Sequence, residues 1–222
     1  FNEPVNNWLD FFVYTDFIDR DGKYQLNMLS RSAFAPLGAS MKPMLQEEAF
    51  HLLTGNSGLM RIVKAGVIPS AIIQKYLNKW ISTAHDLFGQ DESSTAYWAY
   101  LWGLKGRYDE HLFDGPPDMN AINDISRTQY HKEVSAIIDS LNKNLKPGQE
   151  PLVMPDMKFN RSVGKYAGQP YSVKGELLSQ EEYEKHKKDV VPSEADVQFV
   201  INLEKEKAPW IVDPNLASAP AR

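Results

Sequence analysis

Cysteine is absent from the 222 residues. That excludes disulfides, thiolate nucleophiles, Cys-ligated zinc and Cys-held iron–sulfur clusters, and it suits a reducing cytoplasm. No apolar run approaches the ~18 residues of a membrane span. The opening Phe1-Asn2-Glu3-Pro4 is neither basic nor followed by the apolar core of a signal peptide, so no membrane partner is expected. Positive charge is in short supply as well: 24 Lys and Arg against 29 Asp and Glu leave a net charge of −5, with no long basic block. Nucleic acid is therefore not an expected partner. There is no nucleophile elbow, phosphate loop or dinucleotide fingerprint, and no internal repeat. The chain begins with Phe rather than Met, inside what reads as helix-entry sequence, so it is expected to be a piece of something longer or a processed product.

What is present is mostly helical pattern. Residues 4–30 and roughly 39–54 carry it, and a third helix is expected from Pro69-Ser70 to Gly89, with Ile73, Leu77, Trp80, Ala84 and Phe88 on one face. The aromatic block 96–102 predicts a short buried helix. A fifth helix is expected over 119–145, stopped by Lys146-Pro147-Gly148. Beyond Gly148 the period is lost. Residues 149–168 read as extended loop, 171–178 as a small hairpin turning at Lys174-Gly175, and Ser179-Gln180-Glu181-Glu182 as a capping box. Short helices follow to about 189 and over 193–207, then a loose tail of the last dozen residues. The expected organisation is all-α: a helical bundle half over 1–148 and a C-terminal extension over 149–222.

Chemistry enters through charges placed on apolar stripes. In steps of four and three, Trp8, Phe12, Thr15, Asp19, Gly22, Leu26 and Leu29 share one face, which puts the Asp19 carboxylate on a face expected to be buried. Asp16 shares a face with Arg20 and Lys23 and reads as a solvated charge with helical partners. Asp21-Gly22 is a turn dipeptide, but the stripe runs through it in register, so the helix is expected to continue and to tolerate about 1 kcal/mol for the Gly. On the second helix Met41, Met44, Leu45, Glu48, Leu52, Gly55 and Leu59 trace a stripe with Glu48 inside it. His51 lies one turn on, in a Glu-x-x-His pattern that lets a carboxylate and an imidazole reach one metal ion from a single helix. Glu47 is a rival on a wetter face. A buried carboxylate without a partner costs several kcal/mol, and a cation side chain, protonation or a metal can offset that. Oxygen-rich ligands with one imidazole suit iron or manganese, and inward Glu-x-x-His helices with further carboxylate helices make the ligand set of ferritin-like di-iron bundles. The metal-free alternative is a core histidine hydrogen-bonded to Asp19 or Glu48.

These residues stand in a familiar setting. The runs Lys42–His51 and Asp16–Lys23 resemble the oxygenase subunits of benzoyl-CoA 2,3-epoxidases, and the similarity continues through Gly103–Glu110, Phe159–Gly164, Gly175–Ser179 and Trp210-Ile211. The resemblance implies a partial ferritin-like bundle and a class I di-iron monooxygenase. Such an enzyme takes O2, an aromatic acyl-CoA and electrons from a separate NADPH-dependent flavin and iron–sulfur reductase, and it inserts oxygen across a ring double bond. Carried over by position, Asp19, Glu48 and His51 are the metal ligands of the second half of that family's set. The 29-position interval from Asp19 to Glu48 agrees with it. The remaining ligands of the two irons are expected upstream, in a missing N-terminal half of the same protein. Phe50 stands where members tend to carry a second His, which leaves phenylacetyl-CoA epoxidases as related alternatives.

Other readings stay beside this one. His85, His111, His131 and His186 have no ligand-spaced neighbours. The aromatics 97–102 can line an acyl channel or simply pack. Lys158, Arg161 and Lys165, around Phe159 and Tyr166, can cradle the phosphates of a CoA carrier or form a solvated basic loop. Glu181 to Lys188 reads as a solvent face. Two rival functions remain: a non-catalytic helical interaction module, and a homodimer whose two copies complete a symmetric metal site.

Overall fold

The computed structural model describes residues 3–108, 110, 115, 118, 119 and 121–207. Within them lie seven helices: α1 Trp8–Leu29, α2 Ala35–Ala65, α3 Ser70–Leu87, α4 Ser94–Leu101, α5 Ile122–Asn142, α6 Gln180–Val190 and α7 Glu194–Lys207. Among the described residues there is no strand, only an isolated bridge between Tyr171 and Leu177. The all-α class expected from the pattern is the one observed. The expected tail, His111 and Trp210-Ile211 lie outside the described residues. No helix among the described residues is long and apolar enough to cross a membrane.

Helix α1 is the axis of the fold. Asn7 caps it by accepting the Asp10 backbone N–H at 2.9 Å, and it runs unbroken through Asp21-Gly22 as the register predicts. Helix α2 lies along one side of it, and α3 and α5 pack on the other. The expected core face therefore needs correction. The deepest stripe is Leu9, Val13, Phe17, Tyr24 and Met28, set against Leu59, Leu77, Trp80, Tyr130 and Val134. The stripe through Trp8, Phe12 and Asp19 is half-buried and faces α2. A helix enclosed from both sides has no single wet face, and Asp16 shows the consequence. It is fully buried rather than solvated, with Oδ1 2.6 Å from Arg20 Nη2, while Arg20 in turn reaches Glu133 of α5 at 2.6 Å. Burial pushes the Asp16 carboxyl up to about 6 even though Arg20 opposes the shift.

Helix α2 runs well past the expected stop near 54, through Gly55 and Gly58, because those glycines are where α1 comes closest. Its expected stripe holds at Met41, Gly55 and Leu59, but Met44 is exposed. Helix α3 buries Ile73, Leu77, Trp80, Ala84 and Phe88 as expected. Helix α4 does not bury its aromatics. Only Ala96 is buried in it, and Trp98 and Trp102 are 47% and 68% exposed, so the expectation of a packed aromatic helix fails for want of a covering element among the described residues.

The segment 149–168 is irregular, as its composition predicts, yet it is anchored. Arg161 is buried, not solvated. It donates to Asp86 Oδ1 at 2.6 Å and to the Met157 carbonyl at 3.0 Å, and Asp86 also accepts the Ser162 and Val163 backbone N–H groups. The expected hairpin reduces to a tight turn closed by Ser172 N–H to the Glu176 carbonyl at 2.8 Å. The Ser179–Glu182 capping box forms in both directions and starts α6.

Candidate metal centre

Asp19 on α1 and Glu48 and His51 on α2 meet across the α1–α2 contact. His51 Nδ1 lies 3.7 Å from Asp19 Oδ2 and 3.6 Å from Glu48 Oε2. The side chains of Asp19 and Glu48 are 22% and 14% exposed, whereas that of His51 is 56% exposed, so the cluster is desolvated beneath and open at the imidazole. Burial raises the Asp19 carboxyl, with His51 opposing. Glu48 is pushed up to about 6, first by burial and then by the Asp19 charge. Glu47, the rival carboxylate, is exposed on the outer side of α2.

Gly22 makes room for this meeting. It stands three residues after Asp19 on the same side of α1, and a Cβ built on it falls 2.8 Å from Glu48 Oε1. Only a residue with no side chain lets the carboxylate settle there without shifting. From the sequence alone that glycine carries only a cost to the helix. Tyr14, which no local spacing marks, stands beside the cluster, its hydroxyl raised first by burial and then by the charges of Asp19 and Glu48.

As they stand, the three groups meet at the His51 imidazole, which lies within 4 Å of both carboxylates. Among the described residues no group of three or more His, Asp or Glu side chains is placed so that it could hold a metal ion as it stands. Their chemistry nevertheless suits a metal. Two donors each about 2.1 Å from a shared ion lie at most about 4.2 Å apart, so separations of 3.6 and 3.7 Å are within the span of one ion. Two hard oxygens and one borderline nitrogen match iron or manganese.

One carboxylate next to this cluster is more deeply buried. Asp21 is 5% exposed, with Gln25 Nε2 at 3.4 Å, and burial pushes it from 3.8 up to about 7. The fold therefore prefers the protonated form. The penalty for ionised Asp21 grows as pH rises from about 4 to 7 and is complete above that. Asp21→Asn is expected to raise unfolding free energy at pH 8 by on the order of 2–4 kcal/mol and to change little at pH 4. Urea denaturation at the two pH values tests this, and an equal gain at both would refute it.

Elsewhere the structure joins two histidines that 46 residues of sequence keep apart. His85 and His131 stack with centroids 5.4 Å apart, and His131 Nδ1 is 3.4 Å from His85 Nε2. Burial lowers both, and the charges of Arg161 and Arg127 beside His85 lower it further, which makes the pair inhospitable to a cation. His186 has a plain structural task, accepting the Val173 N–H at 3.0 Å.

Residues 1–112, which carry Asp19, Glu48 and His51, match the family described as phenylacetic acid catabolic protein. The chain belongs to that family. A relative from Aromatoleum evansii, named benzoyl-CoA oxygenase component B, is 34% identical over 91% of this chain and 52% of its own length. The chain thus spans about half the length of that curated relative. The resemblance drawn from the sequence agrees with both comparisons.

Proposed function

We propose that this chain is the C-terminal part of a di-iron oxygenase subunit that epoxidises the ring of an aromatic acyl-CoA. Benzoyl-CoA is the first-ranked substrate, and Asp19, Glu48 and His51 are the chain's share of the metal centre. The observation that carries the reading is the convergence of these three side chains, with His51 within 3.7 Å of both carboxylates across two helices. The name of the relative supports the oxygenase class and, as a component B, supports a multi-protein system. The proposed electron donor is accordingly a separate NADPH-dependent flavin and iron–sulfur reductase. The family description keeps phenylacetyl-CoA as the second-ranked substrate. We place the reaction in the cytoplasm and the α1–α2 pair in a ferritin-like bundle.

Two carboxylates and one imidazole bring two negative charges, against four positive ones on a pair of ferrous ions. The remaining ligands are therefore assigned to an upstream half of the same protein. When bound, iron supplies the reducing equivalents and Lewis acidity for activating O2. The residues of this chain do the holding. Asp19 and Glu48 present anionic oxygens whose mutual repulsion a cation relieves, and His51 presents a neutral nitrogen at the open side. Gly22 leaves the space that the Glu48 carboxylate occupies.

The direct contacts favour one second reading, a metal-free cluster in which His51 simply bridges the two acids. Iron content of the chain joined to its upstream segment separates the two. The wild type is expected to retain a pair of irons, and Glu48→Ala and His51→Ala to lose most of it. Gly22→Ala is expected to hold or gain up to about 1 kcal/mol of stability through helix propensity while retaining less iron. Iron content unchanged across all three variants removes Glu48 and His51 as ligands, and a wild type without iron favours the metal-free cluster.

A further inference from the structure

A cavity of about 610 Å3 lies between α5 and the loop after Pro151, away from the α1–α2 contact. Lys158, Lys165 and Lys174 line it, and no carboxylate lies within ion-pair distance of any of the three ammonium groups among the described residues. Two of the three acids in its wall are paired with an arginine. Asp91 is held by Arg127 at 2.6 Å and by the Lys165 N–H at 2.8 Å, Asp124 also reaches Arg127, and Asp156 accepts the Lys158 N–H at 2.8 Å. Arg161, the basic residue expected to join the lysines, is spent on Asp86. Its role is to pin the loop, so that Lys158 and Lys165 project from a fixed frame rather than a mobile one.

His131 also lines the cavity. Its Nδ1 faces His85, whose own Nδ1 is buried without a partner. An orphaned N–H is rarer in proteins than an orphaned acceptor, so the His85 proton belongs on Nε2, donating to His131 Nδ1. That tautomer leaves His131 with its proton on Nε2, as a neutral donor. Tyr166 adds an aromatic wall, with Lys165 Nζ 5.1 Å from its ring centre. The cavity thus offers cations, a neutral donor and a ring face. Its volume falls in the range of small-molecule sites, well beyond one phosphate ion.

We propose that this cavity binds the diphosphate of an adenosine-type nucleotide, with Lys158, Lys165 and Lys174 on the phosphates and Tyr166 against the base. A free nucleotide and the nucleotide portion of a CoA thioester present the same chemistry. Only the second source rests on the function proposed above.

Isothermal titration of the full chain at about 50 mM salt tests the site with ADP, pyrophosphate and CoA as probes. ADP is expected to bind saturably and more tightly than pyrophosphate. The double variant Lys158→Ala/Lys165→Ala is expected to bind ADP at least about tenfold more weakly, since each charge-assisted hydrogen bond contributes about that factor. Tyr166→Ala is expected to weaken ADP but not pyrophosphate. Lys143→Ala, on the exposed end of α5, is the control for general charge and should bind ADP as the wild type does. CoA binding tighter than ADP assigns the site to the carrier, and equal or weaker binding assigns it to a free nucleotide. No saturable ADP binding, a double variant within twofold of wild type, or an equal loss in Lys143→Ala overturns the proposal. Circular dichroism of each variant reports whether a loss comes from unfolding, and in that case Lys174→Glu, on an exposed turn, must show the tenfold loss for the proposal to stand.

Discussion

Gly55→Ala is expected to lower the melting temperature by roughly 4–8 °C, because it wedges α1 and α2 apart. A Cβ on Gly55 falls 2.5 Å from the Asp16 backbone nitrogen and 2.7 Å from its Cα. These atoms belong to a helix and cannot rotate away as a side chain would. Alanine brings back about 1 kcal/mol of helix propensity, but overpacking costs about 1–3 kcal/mol and more where the neighbour is rigid. With backbone atoms as the obstacle the cost lies at the top of that range or above it, so the net loss is about 2 kcal/mol, and a chain of this size converts each kcal/mol to roughly 2–4 °C. Gly55 also lies one turn beyond His51, so the same wedge moves the imidazole away from Asp19. A melting temperature equal to the wild type's would show that the two helices can yield at this crossing. The contrast with Gly22→Ala, where the obstructing atom is the movable end of Glu48, separates a packing glycine from a site glycine.

Arg127→Ala is expected to cost about 3–5 kcal/mol, the range for removing one partner of a buried charge network. The guanidinium is fully buried. It donates to the His85 carbonyl at 2.9 Å and to the Gly89 carbonyl, and it pairs with Asp91 at 2.6 Å and Asp124 at 3.3 Å. One side chain of α5 thereby ties off the C-terminal end of α3 and the segment that follows it. Lysine at this position keeps a charge but not the planar fork that reaches separate acceptors, so Arg127→Lys should recover only a minor part of the loss. Equilibrium denaturation in urea measures both, and a loss under about 1 kcal/mol for Arg127→Ala would contradict this account.

The convergence of Asp19, Glu48 and His51 was legible in the sequence because it depends on local periods: three residues on one helix, and a charge on the stripe of its neighbour. The burial of Asp16 was not. An Arg four residues on is the mark of a solvated pair, and nothing nearby announces that Glu133, over a hundred residues away, will close over Arg20. The aromatic block 96–102 erred in the opposite direction, since helical spacing of rings does not say whether another element arrives to cover them. The His85–His131 stack and the pinning of the loop by Arg161 share that origin. Both join residues separated by 46 and 75 positions, and no spacing rule reaches that far. Gly22 was visible as a residue, but its use depends on where a side chain of another helix comes to rest.

The Glu133 hub has a consequence for the order in which the chain assembles. Its carboxylate receives Arg20, Lys23 and the Tyr24 hydroxyl at 2.6–2.7 Å, all across sequence separations of 109–113 residues. By contrast α1 and α2 are consecutive and are joined by five residues, so their pairing closes a short loop. Loop closure becomes entropically harder with length, and contacts between sequence neighbours form faster than distant ones. The hairpin of α1 and α2, with the Asp19–His51 contact inside it, is therefore expected to form ahead of the clasp on α5, so that the site takes shape locally before the later chain locks it from behind.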